Sequence, residues 1–494
     1  GPSERLPSPA FRRALAMPPS LLLHRAPCAR PSARAASRLY SSPVVAADNG
    51  AGGSRTPKPP PRRPRGKPRF SRQSAIRKSF QQEQVVFSTP VPADPTVAVI
   101  GGGASGLACA SALAARGVRS VVFDTGKHGL GGRLATRTVD GELVFDHAAQ
   151  FFTAGDERFR RLVEEWVERG LVREWRGSVG ELEAGGHFTP TPFSTPRYIA
   201  VNGMRQLADV MLPESDLIKV VRPSWISKLE PFNGMWRLFE NEKPQGQYDA
   251  LVIAHNGKCA NRLLSTSGLP QLTKQMKRLE LSSVWALLAA FEGPLPIPQN
   301  SLYGAFEGAF VRDVDSLSWM ANNTRKLFPL ETDRPECWTF FSTASYGRRN
   351  KVPQENIPNA TAEKVKRDML GGVELALGLS KGSLQLPFYT RVQLWGAALP
   401  MNTPGVPCIF DPQGRAGICG DWLTGSSIEA AVLSGMSLGD HVADYFTSHG
   451  ERPEEFAIGL DDSLNRVEGH DIGQFPGLES QKPKVAEPQL APTM

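Results

Sequence analysis

Apolar positions change their spacing sharply along residues 96–124, TVAVIGGGASGLACASALAARGVRSVVFD. Val97, Val99 and Ile100 make a short β-branched run, an alanine-rich helical stretch follows three glycines, and Val118 to Phe123 is apolar again. The pattern predicts strand, tight turn, helix and second strand. Farther on, Phe159, Leu162, Val163, Trp166 and Leu171 give residues 158–173 one apolar side, and Met204, Leu207, Val210 and Met211 recur with helical spacing after Gly203. Strand patterns occupy 224–229, 235–239, 249–254, 284–291, 316–321, 337–343, 388–395 and 416–419, with a helix over 362–377. The expected fold is α/β: a Rossmann-like domain, interleaved with an α+β domain built on an antiparallel sheet.

The glycines after the first strand add chemistry to that pattern. Gly101, Gly103 and Gly106 have G-x-G-x-x-G spacing, with Ala104 and Ser105 between the last two. The first glycine permits the turn, the second lets backbone approach a pyrophosphate, and the third lets the helix pack on the strand. Phosphates are expected at the helix N-terminus, where free N–H groups and the positive dipole end meet them. Asp124 stands 18 residues beyond Gly106, at the end of the second strand, where its carboxylate can accept from ribose hydroxyls. A dinucleotide site is expected.

Two later segments extend it. Gly131-Gly132-Arg133 suits a loop laid against a longer cofactor, with the Arg133 guanidinium offered to the diphosphate. Near the other end, a short strand runs into Gly420-Asp421 and then a helix start at Ser427-Ile428. Asp421 can bond a ribityl hydroxyl, and the N–H groups of Ser427 and Ile428 can face the edge of a flavin ring that gains negative charge on reduction.

On these residues the chain resembles the FAD-dependent amine oxidase superfamily, and within it the renalase-like branch that includes plant plastid oxidoreductases. The carriers are the glycine turn, Gly131 to Thr136, Phe145-Asp146-His147-Ala148-Ala149-Gln150-Phe151-Phe152, Gly203-Met204 and the Gly420-Asp421 segment with Ser434-Gly435, across roughly residues 97–445. Ala148 stands where the branch typically has glycine. The resemblance implies noncovalently bound FAD, with NAD(P)H as a conceivable substrate or reductant. It also implies that Ile226 offers its backbone to adenine and that His147 and Gln150 lie near the flavin. Trp395 reads either as a wall of the ring or as a core tryptophan. These three are the candidate catalytic residues, with no nucleophile and base pair among them and no metal site.

Charge and composition then divide the chain. Residues 1–84 hold 17 Lys and Arg against 3 Asp and Glu, leaving a net charge of −6 on the rest of a chain that totals +8. The basic segment is rich in Pro, Ser, Ala and Arg and poor in aromatics. It reads as a plastid transit peptide and linker for the chloroplast stroma, not as a nucleic-acid surface. No stretch has the roughly 18 apolar residues of a membrane span. The six cysteines show no paired or metal-ligand spacing. The expected organisation is a leader over 1–84, the cofactor domain over 85–157, 198–270 and 405–446, the substrate domain over 158–197 and 271–404, and a loose tail over 447–494. The expected activity is hydride removal from a C–H next to nitrogen in a small amine-like molecule. Oxidation of aberrant dihydronicotinamides and low-turnover flavin binding for assembly or redox sensing are the alternatives.

Overall fold

The computed structural model describes residues 82–191, 195–300 and 304–467. Its first sheet has six strands, in the order Ile409–Asp411, Ala416–Ile418, Ala250–Ile253, Thr96–Ile100, Arg119–Phe123, Ile218–Val221. All neighbours are parallel except the first pair. Ala250–Ile253 is buried throughout because both faces are covered, as parallel sheets require. Helices Ala104–Ala115 and Ile428–Thr447 lie over one face, and the helices Gly257–Leu264 and Pro270–Arg278 with a three-stranded sheet lie over the other.

Two glycines set the depth of the first layer. A Cβ on Gly106 would stand 2.0 Å from the Gly101 carbonyl oxygen, and one on Gly435 would stand 2.0 Å from that of Ser105. Only glycine at both positions lets the two helices close on the glycine turn.

The second sheet has seven strands, in the order Tyr389–Trp395, Val284–Phe291, Glu336–Phe341, Trp319–Asn322, Gly308–Arg312, Val179–Glu183, His187–Pro190. It is antiparallel apart from the Gly308–Arg312 and Val179–Glu183 pair, which is parallel. Side chains alternate on the fully buried central strand. Trp285, Leu287, Ala289 and Phe291 pack with helix Asn359–Leu377, while Val284 and Ala286 join the core shared with the first sheet. That alternation aims the second sheet's inner face at the cofactor domain.

Several boundaries differ from the sequence reading. The helix expected over 158–173 is Glu157–Glu168, followed by strand Val172–Glu174, whereas the helical spacing after Gly203 is helix Arg205–Met211, preceded by strand Tyr198–Ala200. The hairpin strand begins at Lys228, so Ile226 lies in the connection before it. Ordered packing starts by residue 82, ahead of the expected 85: Gln82 Nε2 donates to the Leu264 carbonyl at 3.1 Å and Gln84 Nε2 to Asp411 Oδ2 at 3.0 Å. Residues 447–467 are held as well. Ile458 exchanges backbone hydrogen bonds of 2.9 and 3.1 Å with Phe410, and Gln275 Nε2 donates to the Leu460 carbonyl at 2.8 Å. The leader up to residue 81 and the tail from 468 lie outside the described residues. Among the described residues no helix is long and apolar enough to cross a membrane, and no group of His, Cys, Asp and Glu could hold a metal ion.

Candidate functional site

A cleft of about 400 Å³ runs between the two sheets, within the size range of small-molecule and cofactor sites. One end is the glycine turn. Gly101 has φ 120°, and a Cβ there would stand 2.7 Å from the Ala254 carbonyl oxygen. Gly103 differs, with ordinary extended backbone and no atom within 4 Å of an added Cβ. It faces open cleft. The helix that starts at Ala104 has no side-chain cap and no acid in its first turn, so the first N–H groups of Ala104 and Ser105 lack an intrahelical partner at the cleft wall. Asp124 is fixed here by accepting the Gly102 and Gly126 N–H groups, both at 3.0 Å, one on each carboxylate oxygen. The Gly131-Gly132 loop is drawn alongside by the Gly131 N–H to Gly102 carbonyl bond of 2.8 Å.

Arg133, expected from the sequence to face a diphosphate, is engaged within the protein. It grips both Asp421 oxygens, at 3.0 and 2.7 Å, and donates to the Ala398 carbonyl at 2.8 Å. Three of its five N–H groups are thereby used, leaving two for a ligand. This ion pair joins the second cofactor segment to the third across 288 residues of sequence. The Ser427 side chain caps its own helix by accepting the Ala430 N–H, and Glu429 turns away to accept the Gly155 and Asp156 N–H groups. The N–H groups at Ser427 and Ile428 therefore lie at an uncrowded helix start on the cleft wall.

The other end is aromatic and apolar, formed by Val284, Phe341 and Trp395. Trp395 closes strand Tyr389–Trp395 and is fixed by donating its indole N–H to the His147 carbonyl at 2.8 Å. Its ring packs on the His147 imidazole with centroids 5.5 Å apart. His147 itself is buried outside the cleft lining and shares a 2.8 Å hydrogen bond with Gln393. Burial pulls its pKa down from 6.5 to about 4. Contrary to its reading as a catalytic candidate, it is a neutral support behind Trp395.

The same number sets a pH dependence. An unfolded chain takes up this proton near pH 6.5 and the folded protein only near pH 4. The contribution is complete above about pH 6.5 and shrinks as pH falls, levelling below about 4, a loss of about 3 kcal/mol. His147→Gln is expected to flatten that share of the acid limb when denaturant unfolding is measured from pH 7 to pH 4. Parallel wild-type and variant curves would show that the imidazole is not buried as a neutral ring.

Gln150 also departs from expectation. Its amide does not aim at a ligand: Nε2 donates to the Asp146 and Ala148 carbonyls at 2.8 and 3.0 Å, and Oε1 accepts the Trp319 indole at 3.2 Å. It stiffens the turn whose middle residues, Ala148 and Ala149, line the cleft. Ile226 is buried among Ile100, Phe123 and Tyr248 in the core and does not line the cleft.

Two further groups stand out: His255, which the sequence reads as a loop residue after a buried strand, and Lys326, which escaped that reading. His255 lines the cleft beside the glycine turn, bonded to the Ile100 carbonyl at 3.1 Å, and burial lowers its pKa. Lys326, fully buried, donates to Asp146 Oδ2 at 2.8 Å and to the Gln150 carbonyl at 3.0 Å. It thus ties both ends of the 146–150 turn to the second domain.

Residues 99–166 match the NAD(P)-binding Rossmann-like domain family. The fold is similar to that of a reduced UDP-galactopyranose mutase, with TM-score 0.54, 11% identity, 74% of this chain and 98% of that one covered. It is similar also to a protein from Exiguobacterium sp. 255-15 assigned as a protoporphyrinogen oxidase, with TM-score 0.53, 12% identity and coverages of 72% and 99%. Cyclohexylamine oxidase from Brevibacterium oxydans IH-35A gives TM-score 0.50, 14% identity and coverages of 72% and 100%. The chain thus has a Rossmann-containing α/β fold shared with oxidases and with a mutase, so its reaction must be read from the site.

Proposed function

We propose that the cleft holds FAD noncovalently and that the protein is an oxidoreductase that removes hydride from a C–H next to nitrogen in an amine-like small molecule. The observation that carries this is one continuous wall joining Asp124, the open face at Gly103, the Arg133–Asp421 pair, the helix start at Ser427 and the Trp395 ring. Acid, phosphate turn, guanidinium and aromatic end follow one another in the order of a ribose, a diphosphate and a ring system. Bound flavin supplies two-electron oxidation, with oxygen or another acceptor taking the electrons onward. The residues supply the rest. Asp124 would hold ribose hydroxyls, the first N–H groups of helix Ala104–Ala115 and the spare Arg133 donors the diphosphate, and Asp421 the ribityl chain. Ser427 and Ile428 N–H groups would stabilise negative charge at the ring edge, while Val284, Phe341 and Trp395 keep water from the reacting end. The test is anaerobic mixing of the yellow protein with candidate amines. Bleaching of the flavin band by an amine supports the reading, and purification of folded protein without flavin overturns it.

Asp421→Ala removes the carboxylate that both holds Arg133 and faces the ribityl position. Loss of a charged hydrogen bond is worth roughly 1.5–3 kcal/mol, so FAD affinity is expected to fall about tenfold to a hundredfold, read by flavin release on dilution. Affinity equal to wild type would make Asp421 a turn acid only.

We also propose import into plastids by the basic leader. Since packing starts by residue 82, residues 17–81 fused to a fluorescent reporter should accumulate in chloroplasts. Cytosolic or secreted fluorescence would reject the assignment.

A further inference from the structure

We propose that Arg137 and Arg391 form an anion subsite beside the aromatic end of the cleft, taking a carboxylate or phosphate group carried by the substrate. The inference rests on the flavoenzyme reading and adds the class of molecule that the enzyme accepts.

Tyr389–Trp395 is an edge strand of the seven-stranded sheet. Alternation sends Val392 and Leu394 toward helix Asn359–Leu377 and leaves Tyr389, Arg391, Gln393 and Trp395 on the opposite face. Contacts on that face agree. Tyr389 stacks on Phe145 with centroids 5.7 Å apart, Gln393 bonds His147 at 2.8 Å, and Trp395 packs on the same imidazole. Arg391 therefore sits on the row between the Phe145 and His147 contacts. Across from it, Arg137 pairs in register with Phe145 in an antiparallel ladder, which puts the two side chains on one face. Both guanidiniums thus stand along the seam that leads to Trp395 and the cleft.

The two cations are not neutralised. Among the described residues neither has a hydrogen bond or a carboxylate partner, and the Arg137 Nε–H is buried without an acceptor. Burial, and then the nearby Arg391 charge, push the Arg137 pKa below the usual arginine range. Within the cleft itself the protein does pair its guanidinium, as Arg133 with Asp421 shows. An anion between Arg137 and Arg391 would replace repulsion with charge-assisted hydrogen bonds from two planar forks, a geometry that fits carboxylate and phosphate. Trp395 lies four residue steps along the strand from Arg391, about 13 Å at 3.3 Å per residue. The substrate is therefore elongated, with its oxidised C–H at the aromatic end and its anionic group along the seam.

Isothermal titration of the flavin-loaded protein with inorganic phosphate and, separately, acetate, at constant ionic strength, tests this. The expected result is saturable binding of at least one probe, weakened about tenfold or more in both Arg137→Gln and Arg391→Gln, with flavin content and circular dichroism unchanged. The probe that binds identifies the anion type. No saturable binding of either probe, or equal binding by both variants and wild type, overturns the subsite while leaving the flavin reading intact. That reading fails separately, by absence of the flavin band before any titration. With an amine that bleaches the flavin, Arg391→Gln is further expected to lower kcat/KM at least tenfold for an anionic form and leave a neutral analogue unchanged.

Discussion

Gly103→Val is expected to yield a folded protein without FAD. Position 103 has φ −78° and ψ 179°, backbone that any residue adopts, and an added Cβ meets no atom within 4 Å. The folded chain therefore accepts the larger side chain with little strain. What it fills is the face across which, in the proposed binding mode, a pyrophosphate approaches the helix N-terminus. Loss of two or more charge-assisted hydrogen bonds there lowers FAD affinity by roughly a hundredfold or more. The comparison is Gly106→Ala, a smaller change in a tighter place, whose Cβ would stand 2.0 Å from the Gly101 carbonyl oxygen. That variant should lose fold and flavin together. The check is the ratio of flavin to protein absorbance beside thermal unfolding, with FAD-free wild type as reference. Gly103→Val that retains full flavin would remove the phosphate assignment, and a soluble, wild-type-stable Gly106→Ala would remove the packing argument.

Local chemistry explains what could be read from the chain. The glycine turn, Asp124 and the Gly420-Asp421 step are signals in which backbone freedom or a strand end dictates the residue, and the structure gathers all of them in one cleft. Side-chain partners chosen by the fold were hidden. Gln150 looked available because nothing nearby announces that Trp319, 169 residues away, takes its oxygen. Arg133 looked like a free phosphate ligand, since its partner Asp421 lies in a segment that meets it only once the two outer pieces of the cofactor domain close. The stretch after Thr447 is polar and proline-rich, and that composition misses order maintained by backbone bonds between Phe410 and Ile458. Lys326 was the least legible: in Asn323-Thr324-Arg325-Lys326-Leu327 it reads as an ordinary surface lysine, and its burial follows from the short helix wedging against the cofactor domain.

Lys326→Met is expected to destabilise the protein by about 3–5 kcal/mol, the usual cost of breaking a buried ion pair from one side. Lys326 and Asp146 are both fully buried. Without the ammonium, one carboxylate oxygen loses its counter-charge, and the Gln150 carbonyl loses a donor at 3.0 Å. The other oxygen, which accepts the Thr136 hydroxyl at 2.7 Å and the Met204 N–H at 2.8 Å, stays bonded but cannot carry the charge alone. Adding Asp146→Asn removes that charge while its amide oxygen still serves Thr136 and Met204, and the new NH2 takes the oxygen position that the ammonium had bonded. The double variant should therefore recover more than half of the loss, although each single change destabilises. Because the 146–150 turn carries Ala148 and Ala149 into the cleft, Lys326→Met should also release flavin more readily at temperatures where it remains folded. Denaturant unfolding of wild type, both singles and the double completes the cycle. A single variant within 1 kcal/mol of wild type, or a double variant no better than Lys326→Met, would mean that the pair does not hold the two domains' shared turn in place.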